Sequence, residues 1–248
     1  MPHYLPAIML QQQVQIALVG CGGNGSQMLT GLARLNHALV ALGHPGLAVY
    51  AFDPDVVSEA NMGRQMFGAF DVGSPKAHVL VNRINAFFGL AWRSHFGRYE
   101  DEASAFDMMI VCVDSARARR DIQQHVRNFR AHYLMDLGNR AADGQVILGE
   151  IRPTHDKSKL QQDHVELASP YSILPELVDT SVPEDDTPSC GLAEALERQE
   201  LFVNQSIVTP ALSILWELFR YGRITWHGAF VNLRTGTMRP LPVKGGAA

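Results

Sequence analysis

Residues 18–25 read Leu-Val-Gly-Cys-Gly-Gly-Asn-Gly, and this stretch decides the fold. An apolar strand, Val14–Gly20, runs into glycines at 20, 22 and 25, spaced G-x-G-x-x-G. A helical run begins near Asn24. Gly20 permits a tight turn, and Gly22 lets a nucleotide phosphate approach the backbone because no Cβ blocks it. Gly23 continues the turn, and Gly25 lets the helix pack close to the strand. N–H groups at a helix start favour an anion. A second apolar strand, Ala48–Phe52, ends at Asp53, where a ribose-binding carboxylate is expected.

Working outward, strand and helix signals alternate. Gly25–Ala41 reads as the crossover helix, with apolar residues at 28, 29, 32, 35 and 39. Pro75–Phe88 reads as a helix with proline in its first turn. Ala91–Phe96 reads as a strand. Met108–Val113 is a continuous apolar run, typical of a central strand covered on both faces. Ser115–Arg130 is a polar helix, and His132–Leu137 and Gln145–Ile151 are further strands, the last after an Asp143-Gly144 turn. The expected fold is α/β, a doubly wound, mostly parallel Rossmann-like sheet.

Residues 152–190 break this rhythm with five prolines and the acidic run Glu184-Asp185-Asp186. They read as a long crossing loop with short helical turns. Helix signals resume over Gly191–Tyr221, with Pro210 a break or kink. Trp226–Leu233 and Thr237–Leu241 read as a C-terminal β-hairpin turning at Arg234-Thr235-Gly236. The expected organisation is an ATP-binding core over 1–151, the crossing loop over 152–190, and C-terminal helices and hairpin over 191–248 completing the same domain.

Composition narrows the function. The 248 residues are 46% hydrophobic, enough for a large core, and the net charge of −4 gives no basic field for nucleic acid. No apolar run approaches the roughly 20 residues that span a bilayer, and no secretory signal pattern opens the chain. Neither nucleic acid nor membrane is an expected partner. The three cysteines, Cys21, Cys112 and Cys190, form no C-x-x-C pair and suit a reducing, cytoplasmic setting. The ten histidines are scattered, with no i, i+4 pair among His125, His132, His155 and His164.

Further polar residues follow the glycine turn: Asp53-Pro54-Asp55, then Asn61, Arg64 and Gln65, then Lys76, then Asp114, then Arg119, and a Gly144-Gln145 turn. Ligands of open α/β sheets bind beyond the carboxyl ends of strands. Gly20, Asp53 and Asp114 stand at such ends and are expected to converge on one crevice. Arg64 and Lys76 can neutralise a triphosphate where charge builds during attack. Asp114 can hold Mg²⁺, which prefers hard oxygen ligands. Arg119 reads as a structural or surface residue. A hydride-transfer enzyme needs no such cationic clamp, and a P-loop kinase would need the absent G-x-x-x-x-G-K-[ST]. Adenylyl transfer fits: a carboxylate attacks the α-phosphate of ATP and pyrophosphate leaves. An NAD(P)-dependent oxidoreductase and a non-catalytic scaffold of the same fold remain open alternatives.

The series Gly20-x-Gly22-Gly23-x-Gly25, Asp53-x-Asp55, Asn61-x-x-Arg64-Gln65, Lys76 and Asp114 resembles that of ubiquitin-activating-type adenylating enzymes, the ThiF/MoeB superfamily. The resemblance covers residues 14–151. It implies that Asp53 holds the ATP ribose, that Asn61, Arg64 and Lys76 contact the phosphates, and that Asp114 binds Mg²⁺. Pro188-Ser189-Cys190 through Asn204, then Trp226–Pro240, is similar to the ThiF-related protein of bacterial PRTRC cassettes and ubiquitin-like conjugation operons. That implies a ubiquitin-like protein as substrate, a conjugating enzyme as acceptor and a homodimer. Relatives often pass the acyl group to a cysteine. Cys21 lies in the glycine turn and Cys112 in a buried strand, so Cys190, in a polar loop, is the expected thioester cysteine. Two departures stand out: the paired C-x-x-C motifs of the superfamily are missing, and residues 1–13 hold no arginine. The missing motifs tilt the reading from sulfur-carrier activation for cofactor synthesis to protein conjugation, and both remain open.

Overall fold

The computed structural model describes residues 1–99, 106–126, 131–151, 165–181, 197 and 199–244. Its strands in chain order are β1 (His3–Tyr4), β2 (Val14–Val19), β3 (Leu47–Asp53), β4 (Arg93–Phe96), β5 (Met108–Val111), β6 (Tyr133–Asn139), β7 (Asp143–Glu150), β8 (Arg223–Ile224), β9 (Trp226–Asn232) and β10 (Thr237–Pro242). The helices are α1 (Ile8–Gln11), α2 (Gly23–Ala41), α3 (Lys76–Phe88), α4 (Ala116–Val126), α5 (Pro170–Ile173) and α6 (Val203–Tyr221). Eight strands form one sheet in the order β10-β9-β7-β6-β5-β2-β3-β4, and β1 pairs with β8 apart from it.

Alternation along β2 explains why its apolar run has no polar face. Ile16 and Leu18 enter one core with residues of α2, α3 and α6, whereas Ala17 and Val19 enter a second core with α4 and Tyr171 of α5. Strand β5 repeats this: Met108 and Ile110 face the first core, Met109 and Val111 the second. Successive side chains of a strand point to opposite faces, so a strand covered by helices on both sides must be apolar throughout. The doubly wound α/β architecture follows.

The parallel part is β4-β3-β2-β5-β6. Beyond it, β7, β9 and β10 run antiparallel to their neighbours. The C-terminal hairpin turns over residues 233–236 with Gly236 at φ +63°. It continues the same sheet through β9 against β7.

Two expectations need correction. The turn before β7 is Arg140–Ala142, closed by Arg140 N–H donating to Asp143 O at 2.8 Å. Asp143, Gly144 and Gln145 lie within β7, paired with β6 and β9. Gly144 is glycine for close approach: a Cβ there would lie 2.3 Å from the Gly138 carbonyl oxygen and 2.4 Å from Ile207 Cδ1. The last long helix starts at Val203, later than Gly191, and continues through buried Pro210. Residues 191–196 lie outside the described residues. Smaller shifts occur elsewhere. Helix α2 starts at Gly23, and Pro75 stands just before α3 as its N-cap. Of the crossing loop, residues 165–181 carry short helical turns at Pro170–Ile173 and Pro175–Val178, the first capped by Ser169. Among the described residues, no helix is long and apolar enough to cross a membrane.

A polar node fastens that loop to the sheet. Glu150, at the end of β7, accepts from Leu167 N–H at 2.8 Å and lies 3.3 Å from His132 Nε2 and 3.8 Å from His3 Nδ1. His3 also reaches Val165 O and the Tyr133 hydroxyl, both at 2.7 Å. Burial opposes the charge of Glu150, but His132, His3 and Leu167 N–H together draw its pKa below the ordinary 4.5. A carboxylate depressed on folding contributes stability above its unfolded pKa and loses it as pH falls through the folded value. Glu150→Gln should therefore lower the melting temperature at pH 7, and the gap from wild type should shrink below pH 4.5. Thermal melts of both proteins from pH 7 to 3 measure it; a gap independent of pH would contradict this assignment.

Candidate functional site

The carboxyl ends of β2, β3 and β5 open onto one cleft of about 1250 Å³. The switch point that places it is β2: the chain leaves for β3 on one side and β5 on the other. Gly20, Gly22, Gly23, Asp53, Asp55, Arg64, Gln65, Lys76 and Asp114 all line it. Gly25 and Asn61 stand outside the lining.

The glycines act differently. Gly20 has φ +92°, a conformation that L side chains rarely adopt. A Cβ on Gly25 would lie 1.8 Å from the Gly20 carbonyl oxygen, so only glycine lets α2 pack onto the turn. At Gly22 a Cβ would meet nothing within 4 Å. That open space lies in the cleft, directly before the first turn of α2. Helix α2 has no side-chain N-cap and no acidic residue in its first turn. Among the described residues, no side chain caps its leading N–H groups, which with the positive end of its dipole face the cleft.

Asp53 sets the turn. Its Oδ2 accepts from Cys21 N–H at 2.5 Å and its Oδ1 from Asp55 N–H at 2.8 Å. Burial raises its pKa, opposed by the Cys21 N–H and the Lys76 charge. A carboxylate has about four lone-pair sites, so Asp53 keeps acceptor capacity toward the cleft. Lys76 opens α3 and is 8% exposed. Its Nζ meets Asp55 Oδ2 at 2.9 Å, and its backbone N–H donates to Asp55 O at 3.0 Å. Asn61 shapes the next loop, its Oδ1 accepting from Ser58 N–H at 2.9 Å. Three residues on, Arg64 reaches across to Gln199 Oε1. Gln65 is buried beside it.

Asp114 follows β5 and is exposed at the cleft mouth. Its charge acts on Arg64, partly offsetting the burial that lowers the arginine pKa. The donor set suits Mg²⁺, which is held by one or two carboxylates together with phosphates and water. Arg119 holds this loop in place. It donates Nη2–H to Val113 O at 2.7 Å, Nη1–H to Asp114 O at 3.3 Å and Nε–H to Asp136 Oδ2 at 3.0 Å. Tyr171 OH donates to the same oxygen at 3.2 Å. Arg119 is 5% exposed, and it also lines the cleft.

Sequence reasoning missed a second wall. Asn24, Asn139 and Asn204 join α2, β6 and α6 beside the glycine turn. Asn204 Nδ2 donates to Asn24 Oδ1 at 2.8 Å, and Asn24 Nδ2 donates to Asn139 Oδ1 at 2.9 Å. Asn204 presses on Gly23, where a Cβ would lie 2.6 Å from its carboxamide. A polar Asn24 inside the glycine run was the one available signal. The thiols of Cys21 and Cys112 are buried, and burial raises both pKa values. Cys190 lies outside the described residues.

With the fold and cleft described, the relatives fall into place. The chain belongs to the ThiF family, whose family model matches residues 10–239. It is similar to ubiquitin-like modifier-activating enzyme 6 of Mus musculus, 26% identical over 162 residues, covering 60% of this chain and 15% of that protein. It is also similar to the NEDD8-activating enzyme E1 catalytic subunit of Arabidopsis thaliana, 32% identical over 119 residues, 46% of this chain and 24% of that protein. The chain thus spans less than a quarter of the length of these relatives. Among solved structures, PaaA superimposes with a TM-score of 0.61 at 14% identity, covering 93% of this chain and 64% of that one. E. coli MccB gives 0.61 at 12% identity, covering 93% and 62%. These two likenesses are likenesses of fold.

Removing one member of a buried ion pair costs about 3–5 kcal/mol, because the other charge stays buried and unpaired. Arg119→Ala should destabilise by that amount. A double variant, Arg119→Met with Asp136→Leu, should recover most of it. Denaturant unfolding of the three proteins measures this; equal losses in single and double variants would contradict the pairing.

Proposed function

We propose that this chain adenylates the C-terminal carboxylate of a ubiquitin-like protein, using ATP and Mg²⁺. The observation that carries this reading is the uncapped start of α2 opening onto the same cleft as Arg64, Lys76 and Asp114. Membership of the ThiF family supports it, as do the names of the modifier-activating relatives. A further likeness is the crystal structure of E. coli MccB with AMPCPP and MccA, TM-score 0.59 at 13% identity.

The glycine turn receives the phosphates through backbone N–H groups, and Asp53 accepts from the ribose. Asn61 offers its amide N–H groups from the loop edge, beside Gln65. Asp55, paired with Lys76, releases that lysine to the phosphates. Asp114 would hold Mg²⁺, and the chemistry such an ion would supply there is neutralisation of phosphate charge. The attacking carboxylate is ionised at neutral pH and needs no general base. One of its oxygens bonds to the α-phosphorus while the bond to the pyrophosphate oxygen breaks, and pyrophosphate takes that electron pair. Arg64 and Lys76 stabilise the charge that builds on the phosphates, and the cleft supplies proximity. Cys190 then attacks the acyl carbon as thiolate, forming a thioester and releasing AMP. Burial of the two described cysteines supports Cys190 in this role. A conjugating enzyme receives the acyl group, and the active assembly is a homodimer.

ATP–pyrophosphate exchange with magnesium, with and without the ubiquitin-like protein of the same operon, tests the reading. Exchange should require that protein and fall by about 100-fold or more in Asp114→Ala and Lys76→Ala. Cys190→Ala should keep exchange and lose a thiol-sensitive adduct. Binding of NAD in place of ATP would overturn the proposal and restore the oxidoreductase alternative.

A further inference from the structure

Arg64 has a partner that its assigned chemistry does not explain. Its guanidinium donates Nη1–H across the cleft to Gln199 Oε1, 135 positions along the chain. Gln199 is a neutral partner for a cation. Arg64 Nε is buried and has no hydrogen-bond partner among the described residues. A guanidinium presents its N–H groups as a planar fork that fits two oxygens of a phosphate or carboxylate. Here one prong of the fork holds a single carboxamide oxygen and another holds nothing.

Gln199 is delivered to this position by backbone anchored elsewhere. The next residue, Glu200, donates its N–H to Ala141 O at 2.8 Å, in the turn between β6 and β7. Val203 N–H returns to Glu200 O at 3.3 Å, and α6 begins there. Asn204, one residue into α6, is fixed in the amide cluster against Gly23. The approach to α6 is thus held on the cleft wall opposite Arg64, with the Gln199 side chain as the bridge. A carboxylate at this position would bind the fork strongly and add negative charge beside a triphosphate. An alanine would leave the cation with the Asp114 charge but without a carboxamide bond. A glutamine makes one bond of moderate strength that an anion can replace.

We propose that Gln199 is a placeholder for a nucleotide phosphate: its carboxamide oxygen takes one prong of the Arg64 fork, and a phosphate of ATP must displace it to bind there. The backbone anchors at Glu200 and Asn204 stay in place, so the exchange involves the Gln199 side chain alone. This rests on the nucleotide reading above and adds a residue that sets affinity without contacting the reacting atoms.

Calorimetric titration of the full chain with Mg-ATP and with adenosine, in wild type, Gln199→Ala and Gln199→Glu, tests it. Gln199→Ala should bind ATP about three- to tenfold more tightly, because the competing bond is gone. Gln199→Glu should bind ATP at least about tenfold more weakly, because Arg64 is held by a fixed charge. Adenosine, which has no phosphate, should bind all three alike. Unchanged or weaker ATP binding by Gln199→Ala makes the contact a structural brace and overturns the placeholder alone. Failure of the wild type to bind ATP overturns the nucleotide reading, and this inference falls with it.

Discussion

The carboxylate of Asp53 is the constraint on which the rest of the site depends. It accepts from Cys21 N–H and from Asp55 N–H, so one side chain joins the glycine turn after β2 to the loop after β3. The first bond orients the turn that leads into α2. The second fixes the loop whose Asp55 meets both the backbone and the side chain of Lys76. Two strand ends, two helix starts and one buried lysine are therefore placed by a single acid. Burial works against its charge, and the N–H groups with Lys76 offset that cost.

The opposite wall is built on the same logic of satisfied polar groups. Arg119 binds the carbonyls of Val113 and Asp114 and pairs with Asp136, which fixes the backbone that presents the Asp114 carboxylate. The three asparagines lock α6 against the start of α2. The antiparallel half of the sheet makes this possible, since the β6–β7 hairpin carries Asn139 and the turn that anchors Glu200. A charged cleft is thus held by networks that themselves carry no reacting group. Rigid walls of this kind suit catalysis by position and electrostatics, where small displacements are costly.

Much of this was legible in the chain. The unbroken apolar runs at 16–19 and 108–111 announce strands covered on both faces, and the two cores show why. Gly25 was legible because helix-to-strand contact at a glycine turn admits no Cβ, as the 1.8 Å approach to Gly20 O shows. Gly144 misled, because Asp-Gly is a common turn pair and the steric demand of Gly138 and Ile207 leaves no local mark. The late start of α6 was hidden because Leu201 and Phe202 continue its apolar pattern without being helical. The asparagine cluster and the Arg64–Gln199 contact unite residues 65 to 180 positions apart, and no period or spacing links them.

The measurement that bears most directly on this account is a crystal structure of the full chain with a nonhydrolysable ATP analogue and Mg²⁺. The account predicts phosphates against the backbone of Gly22 to Asn24, the metal at Asp114, and Arg64 and Lys76 turned toward phosphate oxygens. A nucleotide bound elsewhere, or one with its phosphates away from the start of α2, would contradict it.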